Sequence, residues 1–233
     1  MQIQTIKVQR LYVKVADQLQ TLIGAGTFTV GSRLPSERDL AGQFGVSRPT
    51  IREAMIALEI AGLVDVRSGS GVYVSENAEA AAAQMPSIAD FEEPGPFEIL
   101  EARLYFEAEA CALAATRISD EQLLQLSQLL TAMAEENRQP AATEKADEQF
   151  HRLIANAAGN SAISATVDWL WQLRNESRIS THFHERIREE GDRPILADHQ
   201  AILDALLARD EDASRTAMRN HLQRVIDHLL ETQ

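Results

Sequence analysis

Residues 33–74 read RLPSERDLAGQFGVSRPTIREAMIALEIAGLVDVRSGSGVYV, and the punctuation of this stretch decides the fold. Ser36 follows Pro35 as an N-cap, with Asp39 placed to return a bond to the cap backbone. Leu40, Ala41 and Phe44 then give a short helix one apolar face, and Gly45 supplies the left-handed residue that stops it. Ser47 caps a second helix whose first turn tolerates Pro49, because first-turn amides have no intrahelical partner. Ile51, Ala54, Met55, Leu58 and Ala61 recur at helical spacing, which leaves Ser47, Arg48, Thr50 and Arg52 at the exposed N-terminal end. Arg48 and Arg52 are four apart and share one face, placed to reach guanine edges or phosphates together. Beyond Gly62 the apolar period falls to two: Val64 and Val66 pair with Val72 and Val74 across a Ser68-Gly69-Ser70-Gly71 tip. Two capped helices followed by a hairpin describe a winged helix-turn-helix, in which one helix enters the DNA major groove and the wing reaches flanking phosphates.

Charge is distributed to match. The chain carries 22 basic and 35 acidic residues, a formal net charge of -13. Residues 1–77 hold 8 Lys or Arg and 7 Asp or Glu, net +1, so residues 78–233 hold 14 and 28, net -14. The first part reads DNA by the local placement of arginines, while the acidic remainder disfavours nonspecific adhesion to DNA or anionic membrane. No run of eighteen apolar residues occurs and the N-terminus lacks a signal-peptide pattern, so a cytoplasmic protein with no membrane partner is expected. The lone Cys111 sits among alanines and leucine as a small buried residue, and no disulfide framework exists.

Outside the quoted stretch, Val8, Leu11, Tyr12, Val15, Leu19, Leu22 and Ile23 predict an amphipathic first helix ending at Gly24 to Gly26. After Val74 the sequence passes through an alanine run around Ala78 to Ala83, then acidic and proline-rich segments with Pro86, Pro94 and Pro96. The expected organisation is a DNA-binding domain over 1–77, a linker over 78–96 and an all-helical domain over 97–233. Helices are predicted over 97–116, 119–137, 142–158, 160–179, 181–190, 194–208 and 210–231. The fold class is therefore mainly α.

Within the helical part, Asp147 and His151 are four apart, so a helix puts carboxylate and imidazole on one face beside Phe150, Leu153 and Ile154. His199 and His221 fall at the apolar edges of two later helices. One carboxylate and three imidazoles suit a borderline divalent cation, zinc foremost with nickel or manganese as alternatives, and an Asp-His pair at this spacing also serves as a plain hydrogen bond. His182 and His184 point to different sides of a helix and His228 lies about 10 Å along the helix from His221, so all three are assigned to the surface.

The first stretch resembles the GntR family of bacterial transcription regulators, sharing the pattern LPSER...A..FGVSR.T.REA...L...GLV..R.G.G.YV. The resemblance places DNA contacts at Arg38, Arg48, Thr50, Arg52 and Gly69, with phosphate contacts at Arg33 and Ser36. For Arg38 a surface salt bridge is the competing role. The D..FH..I and H..IL.AL motifs and the final-helix histidine resemble the FCD effector domain of the FadR branch. That resemblance implies a six- to seven-helix bundle, a homodimer, and metal ligation by Asp147, His151, His199 and His221. Arg103 matches the family's first-helix arginine facing the effector cavity, with an i, i+4 pair to Glu107 as its competing role. Arg174 and Asn175 follow Trp169 and Trp171 as further effector-binding candidates.

The segments GPFEILEAR, WLWQLRNES and DHQAILDALLARD resemble the repressors of hexuronate catabolism. The expected function is a repressor that binds a pseudo-palindromic operator in double-stranded DNA and responds to a small anionic metabolite such as a hexuronate, without enzymatic activity. A metal-dependent enzyme, with Glu101 or Glu107 as base, and a metal sensor are the alternatives.

Overall fold

A computed structural model describes residues 10–67, 69–78, 81, 93–139, 144–191 and 193–231 of the 233-residue chain. The chain divides into two compact units, residues 1–97 with 230–233, and residues 98–229. The predicted linker helix around Ala78 to Ala83 falls largely outside the described residues, as do Val8 and Ser68.

In the first unit, α1 (Leu11–Gly24) buries Tyr12, Val13, Val15, Ala16 and Leu19. Leu11, expected in the core, is exposed, and Leu22 and Ile23 are half-buried. The buried stripe is centred on Tyr12, Ala16 and Leu19, which rotates Leu11 outward. Helix α2 (Glu37–Phe44) starts at Ser36, whose hydroxyl accepts the Asp39 amide at 3.2 Å, and ends at Gly45 with φ 67°. Helix α3 (Arg48–Ile60) starts at Ser47, whose Oγ accepts the Thr50 amide at 3.3 Å, with Pro49 in the first turn. Ile51, Ala54, Met55 and Leu58 are buried, closing a core with Leu19 and Leu40. Strands β1 (Val64–Arg67) and β2 (Gly71–Val74) pair antiparallel with Val64 opposite Val74 and Val66 opposite Val72. The wing gains a third edge from residues 32–34, where the Leu34 amide donates to Val72 and the Val74 amide donates to Ser32. An isolated bridge also joins Arg33 and Tyr73.

The second unit is built from helices α4 (Pro96–Arg117), α5 (Asp120–Glu136), α6 (Lys145–Ala157), α7 (Ser161–Glu176), α8 (Arg178–Glu189), α9 (Leu196–Leu207) and α10 (Glu211–Glu231). Ser119 and Gln122 close a full capping box at the start of α5. The core joins Leu104, Cys111, Leu126, Phe150, Ile202, Met218 and Leu222 from five of these helices. Cys111 is fully buried, and burial together with the Glu107 charge pushes its thiol pKa up, so it is an inert packing residue. One predicted boundary moves. The expected helix over 160–179 breaks at Ser177, whose side chain accepts the Ser180 amide at 3.4 Å and starts α8 three residues early. Among the described residues no helix is long and apolar enough to cross a membrane.

Candidate functional site

Helix α6 sets Asp147 and His151 one turn apart on its buried face, α9 contributes His199 and α10 contributes His221. One potential ligand atom from each of the four lies within 4.8 Å of every other. The three imidazoles crowd together, with ring centroids 4.3 Å apart for His199 and His221, 5.3 Å for His151 and His221, and 5.5 Å for His151 and His199. Each ring turns Nδ1 toward an outer acceptor. His151 Nδ1 lies 2.5 Å from Glu107 Oε2, His199 Nδ1 2.9 Å from the Ile195 carbonyl, and His221 Nδ1 3.6 Å from Asp198 Oδ2. Asp198 is itself held by both Nε and Nη2 of Arg224, at 2.8 and 2.5 Å. The hydrogen bond at His199 fixes its tautomer and leaves Nε2 to coordinate, and the nearby carboxylates favour the same arrangement at His151 and His221.

His199 Nε2 stands 2.8 Å and His151 Nε2 3.8 Å from Asp147 Oδ1. Both Nε2 atoms are buried; that of His199 has only Asp147 as its partner, and that of His151 has no hydrogen bond among the described residues. Unsatisfied buried polar atoms each cost about 1–3 kcal/mol, which a shared cation would relieve. The donor set fits zinc or a neighbouring divalent ion, and these four residues would hold it.

Electrostatics supports the same use. Burial alone would raise the Asp147 pKa, but the hydrogen bond from His199 and the charges of His151, His199 and Arg103 hold it well below the carboxylate range. Burial of Glu107 is likewise outweighed by Arg103 and His151, which pull it down to about 2. Burial pushes His221 down to about 4 despite Asp198. For His199, burial is overcome by the hydrogen bond and charge of Asp147, which raise its pKa.

The cluster opens on a cleft of about 70 Å³ in the second unit, with Arg103, Asp147, Arg174 and His221 among its polar lining and Leu100, Ile187 and Leu222 among its apolar lining. Arg103 is buried, donates through Nε to Glu107 Oε1 at 2.7 Å, and lies 3.9 Å over the Trp171 ring. The i, i+4 pair and the cleft position thus coexist, since the pair uses Nε and leaves the two outer nitrogens. Arg174 also packs over Trp171, at 5.1 Å, and donates through Nη2 to Glu144. Asn175 belongs elsewhere: it is exposed, donates to Glu148 at 3.0 Å and borders a different surface depression. A step of one residue turns a helix by about 100°, so Arg174 faces inward and Asn175 outward.

His184 corrects the surface assignment, being 6% exposed and part of the cleft wall. Burial, then the charges of Arg174, Arg103 and Arg188, hold its pKa well below the usual histidine value. His228 is exposed at the cleft lining, and His182 is half-buried. Sequence reasoning also missed Glu144, a buried carboxylate at φ 54° that Arg174 and Arg188 both engage. No local pattern announces it, because its partners lie 30 and 44 residues away.

In the first unit Arg33, Ser36, Arg38, Arg48, Arg52 and Gly69 line one concave surface. Arg33, Ser36, Arg38, Arg48 and Gly69 are exposed. Gly71, at φ 108°, lets the Arg33 guanidinium lie across the wing, since a Cβ there would stand 2.7 Å from Arg33 Nε. Ser47 and Thr50 join their hydroxyls at 2.8 Å in the α3 cap. Arg52 departs from the expectation of an exposed reader. It is 2% exposed and forks onto Glu37, Nε to Oε1 at 2.8 Å and Nη2 to Oε2 at 2.9 Å. One turn beyond Arg48, its side chain meets the first turn of α2 instead of open solvent.

Comparison with known proteins agrees with this division. The sequence model for "Bacterial regulatory proteins, gntR family" matches residues 11–74, and that for the "FCD domain" matches residues 98–224. The Uxu operon regulator of Haemophilus influenzae is 34% identical over 96% of this chain and 84% of its own length. The Exu regulon transcriptional regulator of Escherichia coli K12 is 36% identical over 92% of this chain and 83% of its own. The HTH-type transcriptional repressor NanR of Klebsiella aerogenes is 33% identical over 93% and 84%. Among solved structures, the Streptococcus agalactiae GntR is 27% identical, with a TM-score of 0.45 over 92% of this chain and 98% of that one. The chain belongs to the gntR family of bacterial regulatory proteins, as a member whose C-terminal part is an FCD domain.

Proposed function

We propose that this protein is a cytoplasmic, homodimeric repressor of a sugar-acid catabolic operon, released from its operator when a hexuronate binds the metal-containing cleft. The observation that carries the reading is the juxtaposition of the Asp147, His151, His199 and His221 cluster with Arg103 in one cleft. These four residues would hold a divalent cation, whose positive charge would attract a carboxylate and adjacent hydroxyl by expansion of its coordination shell, while the Arg103 guanidinium would pair with the remaining charge. The metabolite class comes from the resemblance of the GPFEILEAR, WLWQLRNES and DHQAILDALLARD segments to repressors of hexuronate catabolism, with which similarity to the Uxu and Exu regulators accords. On the DNA side, Arg33, Arg38, Arg48 and Gly69 would contact phosphates and base edges, each protomer taking one half-site. Ser36, Ser47 and Thr50 would support the backbone contacts from the two helix starts.

An enzymatic role is disfavoured by Glu107. Its carboxylate is committed to Arg103 and His151 and is pulled down to about 2, which removes it as a base near neutral pH. Gel-shift titration of the zinc-loaded protein on its own upstream DNA tests the reading. Glucuronate or galacturonate is expected to dissociate the complex, and Arg103→Ala is expected to raise the required concentration at least about tenfold by removing a charge-assisted contact. A complex indifferent to every sugar acid overturns the reading. Operator affinity that follows zinc alone would favour a metal sensor.

A further inference from the structure

We propose that His184 is a specificity-determining residue that reads a hydroxyl group of the bound metabolite; this rests on the reading of the cleft as a sugar-acid site. His184 lies on α8, 6% exposed, and lines the cleft together with Arg103, Asp147 and Arg174. Its ring meets Phe183 edge-on, centroids 5.4 Å apart; among the described residues its nitrogens form no hydrogen bond or ion pair, and unlike Nε2 of His151 and His199 they are not sealed from the cleft. Ring nitrogens on an otherwise buried side chain that lack a protein partner and face the cleft are placed to pair with a group of the ligand.

The chemistry of the neighbours narrows which group it takes. Arg103, Arg174 and Arg193 only donate, whereas Glu144 and Asp147 only accept. The carboxylate of a ligand is served by the arginines, and its chelating pair by the cluster around Asp147. A neutral imidazole offers one donor and one acceptor, both of which hydroxyl groups can use, whereas a second carboxylate would use the donor alone. Burial, and after it the guanidiniums around His184, oppose its protonation and favour this dual role. The ligand class is accordingly a polyhydroxylated acid, long enough for a hydroxyl beyond the chelating pair to reach α8. Plain short hydroxy acids lack that group and gain nothing from His184.

Calorimetric titration of the full-length, zinc-loaded chain separates these contributions, with glucuronate and galacturonate as sugar-acid probes and glycolate as a chelating acid without further hydroxyls. His184→Phe is expected to weaken both sugar acids about 10–100-fold, leaving glycolate and zinc affinities within about twofold of wild type. His184→Asn, which restores a donor and an acceptor, is expected to recover part of the loss. Unchanged sugar-acid binding by His184→Phe overturns the proposal, and so does an equal loss for glycolate, which would mark a merely structural role. A wild-type protein that binds glycolate but neither sugar acid overturns the sugar-acid reading and removes the basis of this assignment.

Discussion

Exchanging His199 for alanine is expected to weaken zinc binding by more than about 100-fold, beyond the 10–100-fold that loss of an outer partner typically costs. Glu107→Gln, which keeps the shape but weakens the acceptor of His151 Nδ1, is expected to fall within that outer-partner range. The ordering follows from geometry. His199 Nε2 and Asp147 Oδ1 stand 2.8 Å apart as members of the cluster itself, whereas Glu107 reaches the site only through the far nitrogen of His151. The pH dependence has a definite sign. The raised pKa of His199 means that zinc must displace its proton across a range extending above that of an ordinary imidazole. Zinc affinity should therefore rise with pH through and above pH 6.5, the reference value of that group. The depressed pKa of His221, about 4, leaves no proton there to displace near neutrality. Competition with a chromophoric chelator at several pH values measures both effects. His199→Ala binding zinc within tenfold of wild type, with unfolding still cooperative, would remove the cluster from its assigned role.

How much of this was legible in the sequence depends on the range of the interactions concerned. Elements ended by local chemistry are readable: Ser36, Ser47 and Ser119 mark helix starts because cap and capped amide lie within three residues, and Gly45 marks an end by its left-handed backbone. Ser177 has the same chemistry, yet no glycine or proline between Ser161 and Ile179 ends the preceding helix, so the break between α7 and α8 is masked. The pair Asp147 and His151 is legible from helical spacing alone, but only tertiary packing brings in His199 and His221. For α8 the pairwise argument about His182 and His184 was the wrong one. The stripe Ile179, Ser180, Phe183, His184 and Ile187 follows a helical face, and it places His184 on the buried side. Arg52 fails for a related reason. Its i, i+4 relation to Arg48 fixes the shared face of α3 but is silent about α2 packing against the far end of that face.

The burial of Arg52 makes it a test of how the DNA-binding unit separates stability from recognition. Arg52→Met is expected to destabilise that unit by about 3 kcal/mol, the low end for breaking a buried ion pair, because Glu37 is 12% exposed and gains partial access to water. A double variant, Arg52→Met with Glu37→Leu, removes both charges and should recover at least half of the loss, since an apolar pair of similar size avoids the desolvation penalty. Arg48→Ala, by contrast, removes an exposed arginine at the first helical position and should leave stability within about 0.5 kcal/mol of wild type. Its operator binding should nevertheless fall by about 1–3 kcal/mol if it contacts a guanine, with a shallower salt dependence if it contacts phosphate. Urea unfolding and gel shifts on the same four proteins resolve the two roles. If Arg52 only fastens α2 to α3, operator affinity in the double variant returns together with stability. If affinity stays low in a fully stable double variant, Arg52 exchanges Glu37 for DNA on binding, and its fork onto Glu37 is the resting position of a reader.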